Sequence, residues 1–207
     1  MLSKVEEIKL SDKYSLFKTR YTGPFTKNEF IKRVNQNEFI YSNQSDRTLN
    51  SVIFHLECNE FKSIDNMVLN LFDIQSVDKI GKSSWIYTQI KEFKMEWMHT
   101  HEYLFSSNQT NLKTEWTYVF YIQIPTDLSN NEGNIIFKTE DDKLHSFEPN
   151  ENDIFIFSGD IPHMAVPTTN SETKRIVYAS NLSFNLDNKI SDSRRIQFKN
   201  TIHTKFD

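Results

Sequence analysis

Two histidines two residues apart, in Trp97-Met98-His99-Thr100-His101, are the residues of this chain whose types and spacing first imply chemistry. Alternate residues of an extended strand point to one face, so His99 and His101 can reach a single ion. A third imidazole, His163, follows some sixty residues on, in Ile161-Pro162-His163-Met164-Ala165-Val166-Pro167. Imidazole nitrogen suits iron, zinc, copper and nickel. Three such groups gathered by a small β-barrel would make a first-row metal site. An HxH alone is a weak signal in a chain with six histidines. The position of His163 strengthens it, just past the turn that follows an Ile-Phe-Ile-Phe strand.

Arg175, in Lys174-Arg175-Ile176-Val177-Tyr178, is the second chemical feature. Strand alternation puts it on the face of Val177 and Ala179, and an arginine facing inward is costly unless paired. A bound carboxylate would pair it, because the guanidinium fork matches carboxylate geometry. Periodicity is equally satisfied if Lys174 faces in and Arg175 faces water, or if Arg175 meets a structural acid. Trp85, Trp97 and Trp116 are candidate pocket aromatics, and each one singly is also an ordinary core residue. His55, in an apolar strand, reads as core; His145 lies on a short strand near a turn, and His203 in the charged C-terminal tail.

The elements that must hold these residues are mostly strands. Trp85–Ile90, Phe93–Trp97 and Trp116–Ile124 are rich in aromatic and β-branched residues, the last stopped by Pro125. Asn130–Asn134 is a turn, Ile135–Phe137 and Leu144–Phe147 are short strands, and Pro149–Asn152 turns into Asp153–Phe157. Ser158–Asp160 turns again, and Lys174–Phe184 is a long strand. Turn signals every eight to twelve residues or so indicate a barrel or sandwich. The first third is different. Strands are expected within residues 1–22, and Thr26-Lys27-Asn28-Glu29 has capping-box spacing for a helix over roughly 27–36. Residues 37–51 read as loop and Ser51–Leu56 as strand. Ser63 is expected to cap a second helix carrying Ile64, Met67, Val68, Leu71 and Phe72 on a core-facing stripe. The polar stretch 106–114 reads as a loop over the site. In the tail, Ser191–Arg195 and Lys199–Asp207 read as a solvated extension, with Ile196 and Phe198 as anchors.

Composition narrows the possibilities. The 207 residues include 17 Phe and 8 Tyr but only 4 Gly, and no Gly-rich phosphate loop is present. A net charge of −4 gives no nucleic-acid footprint. Cys58 is the lone cysteine, which forbids an internal disulfide and suits a reducing compartment. The first residues lack an apolar leader core, and no segment has the length of a membrane span. The expectation is a soluble cytoplasmic protein with a single domain over 1–207. Within it, residues 1–84 supply N-terminal helices and supporting strands, 85–185 the core, and 186–207 an extension.

The order His99-x-His101, Tyr118-x-x-Tyr121-x-Gln123-x-Pro125, Glu132-Gly133-Asn134-Ile135-Ile136-Phe137, Asp153–Phe157, Ile161-Pro162-His163 and Arg175 resembles the 2-oxoglutarate- and Fe(II)-dependent oxygenases. It is most similar to the bacterial and phage-type members with an HxH beside a tryptophan. The likeness covers roughly residues 85–185. It implies a mainly β fold, a double-stranded β-helix (jelly-roll or cupin-like barrel) with a few flanking N-terminal helices. It also implies Fe(II) and 2-oxoglutarate as cofactors, with hydroxylation of a small-molecule or side-chain substrate and release of succinate and CO2. His99 and His163 would take the family's two histidine positions. Arg175 would grip the distal carboxylate of 2-oxoglutarate, and Tyr118 or Tyr121 would donate a hydroxyl to it. Trp97 and Trp116 would meet the substrate.

The departure is at the acid, for the family pattern is HxD or HxE and here His101 stands in its place. Three accounts compete. His101 is itself the third ligand, the reading favoured here; or Glu102 or another acid such as Asp160 completes a conventional triad; or the site has lost iron chemistry and only binds. Outside the family, a cupin-type three-histidine dioxygenase that does not use 2-oxoglutarate accommodates the HxH. It lacks the expected glutamate, since Phe105 and Ser106 stand there. A metal-free β-barrel binding module is the third class. Arg175 discriminates, because neither alternative has a use for an inward arginine.

Overall fold

In the computed structural model the described residues are 1–35, 50–54, 59–72, 77–89, 97–101, 114–168, 171–186 and 201–203. The strands and helices in chain order are β1 (Val5–Lys9), β2 (Ser15–Arg20), α1 (Lys27–Asn35), β3 (Asn50–Phe54), α2 (Asn59–Leu69) and β4 (Val77–Gln89). Then follow β5 (Trp116–Gln123), β6 (Ile135–Lys138), β7 (Leu144–Phe147), β8 (Asp153–Ser158), β9 (His163–Ala165), β10 (Arg175–Leu186) and β11 (Thr201–His203).

They form two sheets. The larger runs β11-β1-β2-β8-β5-β10-β4-β3, antiparallel throughout except where β11 lies parallel to β1. The smaller runs β7-β6-β9. The β8 sequence shows how the sheet is used. Phe155 and Phe157 point into the space between the sheets, among Leu16, Tyr121, Ile135, Phe137, Ile161 and Val177. Ile154 and Ile156 point the other way, among Phe30, Phe61, Ile64, Val68, Phe120 and Tyr178. Both faces are buried, one by the facing sheet and one by the two helices, which is why this strand is apolar at every interior position. The fold is a jelly-roll with helices on the outer face of its larger sheet, as the resemblance implies.

Several elements depart from the sequence expectation. The second helix begins at Asn59, so Ser63 is an exposed residue within it rather than its cap. The reason is Phe61, which heads a buried stripe Phe61, Ile64, Asp65, Val68 at helical spacing. Leu71 and Phe72 fall just beyond the helix. β4 reaches back to Val77 because all of β10, through Leu186, needs a partner. Thr201–His203 returns to pair with β1 as an edge strand. The first helix agrees with its capping signal, and the Thr26 carbonyl accepts the Phe30 N–H at 3.0 Å. Most of the loop assigned to 37–51, His55, residues 93–96 of the strand expected before the histidines, residues 106–113 of the loop expected over the site, and Ile196 and Phe198 lie outside the described residues. No helix among the described residues is long and apolar enough to cross a membrane.

Candidate metal centre

His163 opens β9, and its backbone exchanges two hydrogen bonds with His99, each 2.9 Å. Residues 97–101 are not a regular strand, but this isolated bridge gives His99 a strand-like place beside the small sheet. Two residues on, the His101 N–H donates to the Gly159 carbonyl at 2.8 Å. Gly159 can sit there only without a side chain, since a Cβ would meet the Thr114 carbonyl oxygen at 2.7 Å. The turn after β8 and the start of β9 therefore hold the HxH at both histidines.

The three rings converge. Their centroids are 5.0 Å apart for His99 and His101, 4.6 Å for His99 and His163, and 4.8 Å for His101 and His163. One ligand nitrogen from each lies within 4.8 Å of the others. Bonds of about 2.1 Å to a shared ion imply separations nearer 3–3.5 Å, so an ion would draw the rings inward. Two tautomers are set by carbonyl oxygens, which only accept. The Nδ1–H of His99 donates to Trp97 O at 2.9 Å, and that of His163 to Ile161 O at 3.0 Å. Each leaves Nε2 with its lone pair available, the arrangement that orients metal-binding histidines. Burial, reinforced by the neighbouring imidazoles His163 and His99, holds the His101 pKa well below the usual histidine value. Burial and then His99 bring His163 down to about 3, against the Ile161 hydrogen bond, which raises it. Both rings are neutral at neutral pH, as ligation requires. Trp85 packs beside His101 at 5.2 Å between rings, and Phe157 beside His163 at 4.7 Å.

The alternative acid Asp160 is engaged elsewhere: its carboxylate accepts from the Ser158 hydroxyl at 2.5 Å and pairs with Lys13 at 3.0 Å. Glu102 lies outside the described residues. His145 shares a cross-strand row with Phe137 and His163, but Phe137 stands between the two imidazoles.

Arg175 faces inward. It is 2% exposed, and its Cζ lies 5.4 Å from the centre of the Tyr121 ring. Its Nε and Nη1 have no hydrogen-bond partner among the described residues. Leaving such donors unsatisfied costs about 1–3 kcal/mol each, more when charged, and an anion is the group that would satisfy them. β10 carries Ala179 on the same face, opposite Trp85 of β4. Arg175 is thus four residues, about 13 Å of strand, from the row that touches His101. A residue the sequence did not single out stands across from it. Gln89 is the β4 partner of Arg175, wholly buried, with neither amide atom hydrogen-bonded among the described residues.

Two expected contacts are misplaced. Tyr118 points to the helix-covered face, where its hydroxyl donates to Asp65 of α2. Trp116 is on that same face, its ring 5.7 Å from Phe17 and 5.8 Å from Phe72. Strand alternation puts residues 116, 118 and 120 of β5 under the helices and 117, 119 and 121 inside the barrel. Tyr121 is thus the tyrosine beside Arg175. Trp97 is 67% exposed next to His99.

Comparison with solved structures gives several full-length likenesses. A Pseudomonas putida prolyl-4-hydroxylase aligns with a TM-score of 0.58 at 12% identity, over 81% of this chain and 92% of that one. The fold is theirs. A Trichoplax adhaerens prolyl hydroxylase, in complex with a hypoxia inducible factor oxygen degradation domain peptide fragment, aligns with a TM-score of 0.60 at 12% identity, over 88% of this chain and 89% of that one. HygX from Streptomyces hygroscopicus, with nickel, 2-oxoglutarate and hygromycin B bound, gives 0.58 at 10%, over 89% and 92%. No family model matches the sequence. No curated protein matches it either. The resemblance carried by His99, His101, His163 and Arg175 thus agrees with an independent likeness in fold.

Proposed function

We propose that this chain is an Fe(II)- and 2-oxoglutarate-dependent oxygenase that hydroxylates a small molecule or a protein side chain. The observation that carries this reading is the pairing, within one barrel, of three converging imidazoles and a buried arginine whose Nε and Nη1 lack partners among the described residues. His99, His101 and His163 hold the iron, with His101 in the place of the usual carboxylate. Arg175, steadied over the Tyr121 ring, takes the distal carboxylate of 2-oxoglutarate. Bound iron and keto acid supply the oxidising chemistry, in which O2 and 2-oxoglutarate yield succinate and CO2 as one oxygen atom enters a substrate C–H bond. The chain's own task is to orient these partners and to keep water from the deep side, where Phe137, Phe155 and Phe157 close the barrel. Trp97, exposed beside His99, would meet the substrate. Relatives in fold hold a peptide fragment and hygromycin B, so this reading accommodates either substrate class.

A neutral third ligand also favours a three-histidine dioxygenase without 2-oxoglutarate, and the buried Arg175 argues against it. Anaerobic titration of Fe(II) and 2-oxoglutarate, followed through the weak visible charge-transfer band of the chelate, separates the two. The band is expected in wild type and lost in both His101→Ala and Arg175→Ala. A band that survives His101→Ala moves the third ligand to a carboxylate, with Glu102 the next target. Iron binding without a band supports the cupin-type reading, and no iron binding refutes the proposal.

A further inference from the structure

We infer that Gln89 is a second anchor for the distal carboxylate of the co-substrate and sets, with Arg175, the selectivity of that end of the site. The inference rests on the 2-oxoglutarate reading above. Gln89 and Arg175 are directly opposed residues of neighbouring antiparallel strands. Their Cβ atoms are therefore about 4.5–5.5 Å apart and their side chains share the interior face. Gln89 is 0% exposed and Arg175 2%. Four of their nitrogen and oxygen atoms, Nε2 and Oε1 of Gln89 with Nε and Nη1 of Arg175, have no partner. Both ends of the amide are unsatisfied, so the conclusion does not depend on which way the amide is turned.

A buried amide left in this state is destabilising unless something fills the space beside it. N–H donors outnumber acceptors in the pair, so the complement is a group rich in lone pairs. The charge is also informative. One guanidinium and one neutral amide balance a single negative charge, and a carboxylate brings one charge with about four lone-pair sites. A phosphate dianion would leave buried charge uncompensated. The strand setting adds an opening, because the pairing of β10 with β5 is bulged between Ile176 and Val177. Ladder pairing is disturbed beside Arg175, as bulges next to binding sites commonly arrange.

The test is calorimetric titration of the Zn(II)-loaded protein with 2-oxoglutarate and with glutarate, which keeps the terminal carboxylates but lacks the keto group. Melting of the ligand-free protein is read alongside. Gln89→Leu is expected to weaken 2-oxoglutarate and glutarate about tenfold, the loss of one charge-assisted hydrogen bond. The same substitution removes two unsatisfied buried atoms and is expected to raise the ligand-free melting temperature. Gln89→Met repeats the measurement with an unbranched side chain should leucine not fit. Gln89→Glu supplies an internal carboxylate to Arg175; it is expected to stabilise the ligand-free protein further and to lower 2-oxoglutarate affinity by more than about 100-fold. Zn(II) binding is unchanged in all three, because no histidine is touched. Affinity within twofold of wild type in Gln89→Leu, or a lowered ligand-free melting temperature, overturns the inference and leaves the co-substrate standing. Wild type that binds neither probe overturns both.

Discussion

On the helix-covered face of the large sheet, the hydroxyls of Tyr118 and Tyr178 both donate to the buried carboxylate of Asp65, and the Tyr178 ring stacks on Phe61 with centroids 4.0 Å apart. On the interior face of the same sheet, Arg175 of β10 and Gln89 of β4 are as deeply buried but have hydrogen-bonding atoms left over among the described residues. On one face α2 supplies the acceptor for both phenols. The other holds a guanidinium and an amide with atoms unpartnered among the described residues, beside three converging imidazoles. Buried polarity alone does not mark a site; what marks it here is buried polarity that the protein leaves incomplete.

Acid is the strongest way to break the open face. Imidazoles kept neutral by burial take up protons later in the folded protein than in the unfolded chain. Between the usual histidine range near 6.5 and the value of about 3 for His163, the unfolded state therefore binds more protons, and stability falls as pH falls. His101 shifts in the same direction. Two pH units below 6.5, His163 alone removes roughly 2–3 kcal/mol from the metal-free protein, and His163→Leu is expected to abolish that part of the pH dependence. Urea unfolding in chelator across this range is the measurement. A stability that stays level there would mean that these imidazoles are not desolvated.

Asp65→Ala attacks the closed face. It strands two phenol hydroxyls under α2, and the expected cost is about 2–4 kcal/mol. Zn(II) affinity is expected to stay within about threefold of wild type, since the histidines sit on the opposite face. A large loss of metal binding without unfolding would show that the two faces are coupled through β5 and β10.

The same contrast explains what could be read from the sequence. His99, His101, His163 and Arg175 stand out because imidazole and guanidinium are scarce on apolar strands and their spacing is informative. The barrel follows from strand after strand punctuated by turns, two of them marked by Asn131 and Asn152 at φ 68° and 71°. Tyr118 and Tyr121 could not be told apart. Trp-Thr-Tyr-Val-Phe-Tyr-Ile-Gln has no polar alternation, because both faces of β5 are covered, so nothing in the pattern shows which residues face the barrel interior. Gln89 was silent for another reason. A glutamine carries no charge and suits any surface strand, and its meaning comes only from the register that sets it opposite Arg175. The start of α2 was misread because Ser63 is a good capping residue, whereas the buried Phe61 decided the matter from tertiary packing.

The smallest effect is expected at the rim. Trp97 is 67% exposed, and His99 is steadied by the backbone carbonyl of Trp97 rather than by its ring. Trp97→Ala should therefore change unfolding free energy by less than about 0.5 kcal/mol. It should also leave metal and 2-oxoglutarate affinity within about twofold of wild type. If the ring meets substrate, its loss should spare the slow succinate formation that occurs without substrate and reduce the part that an added substrate stimulates. A destabilisation above about 1 kcal/mol would instead place the indole beneath part of the chain. Trp97 would then be another closed surface, and the open face would end at the histidines.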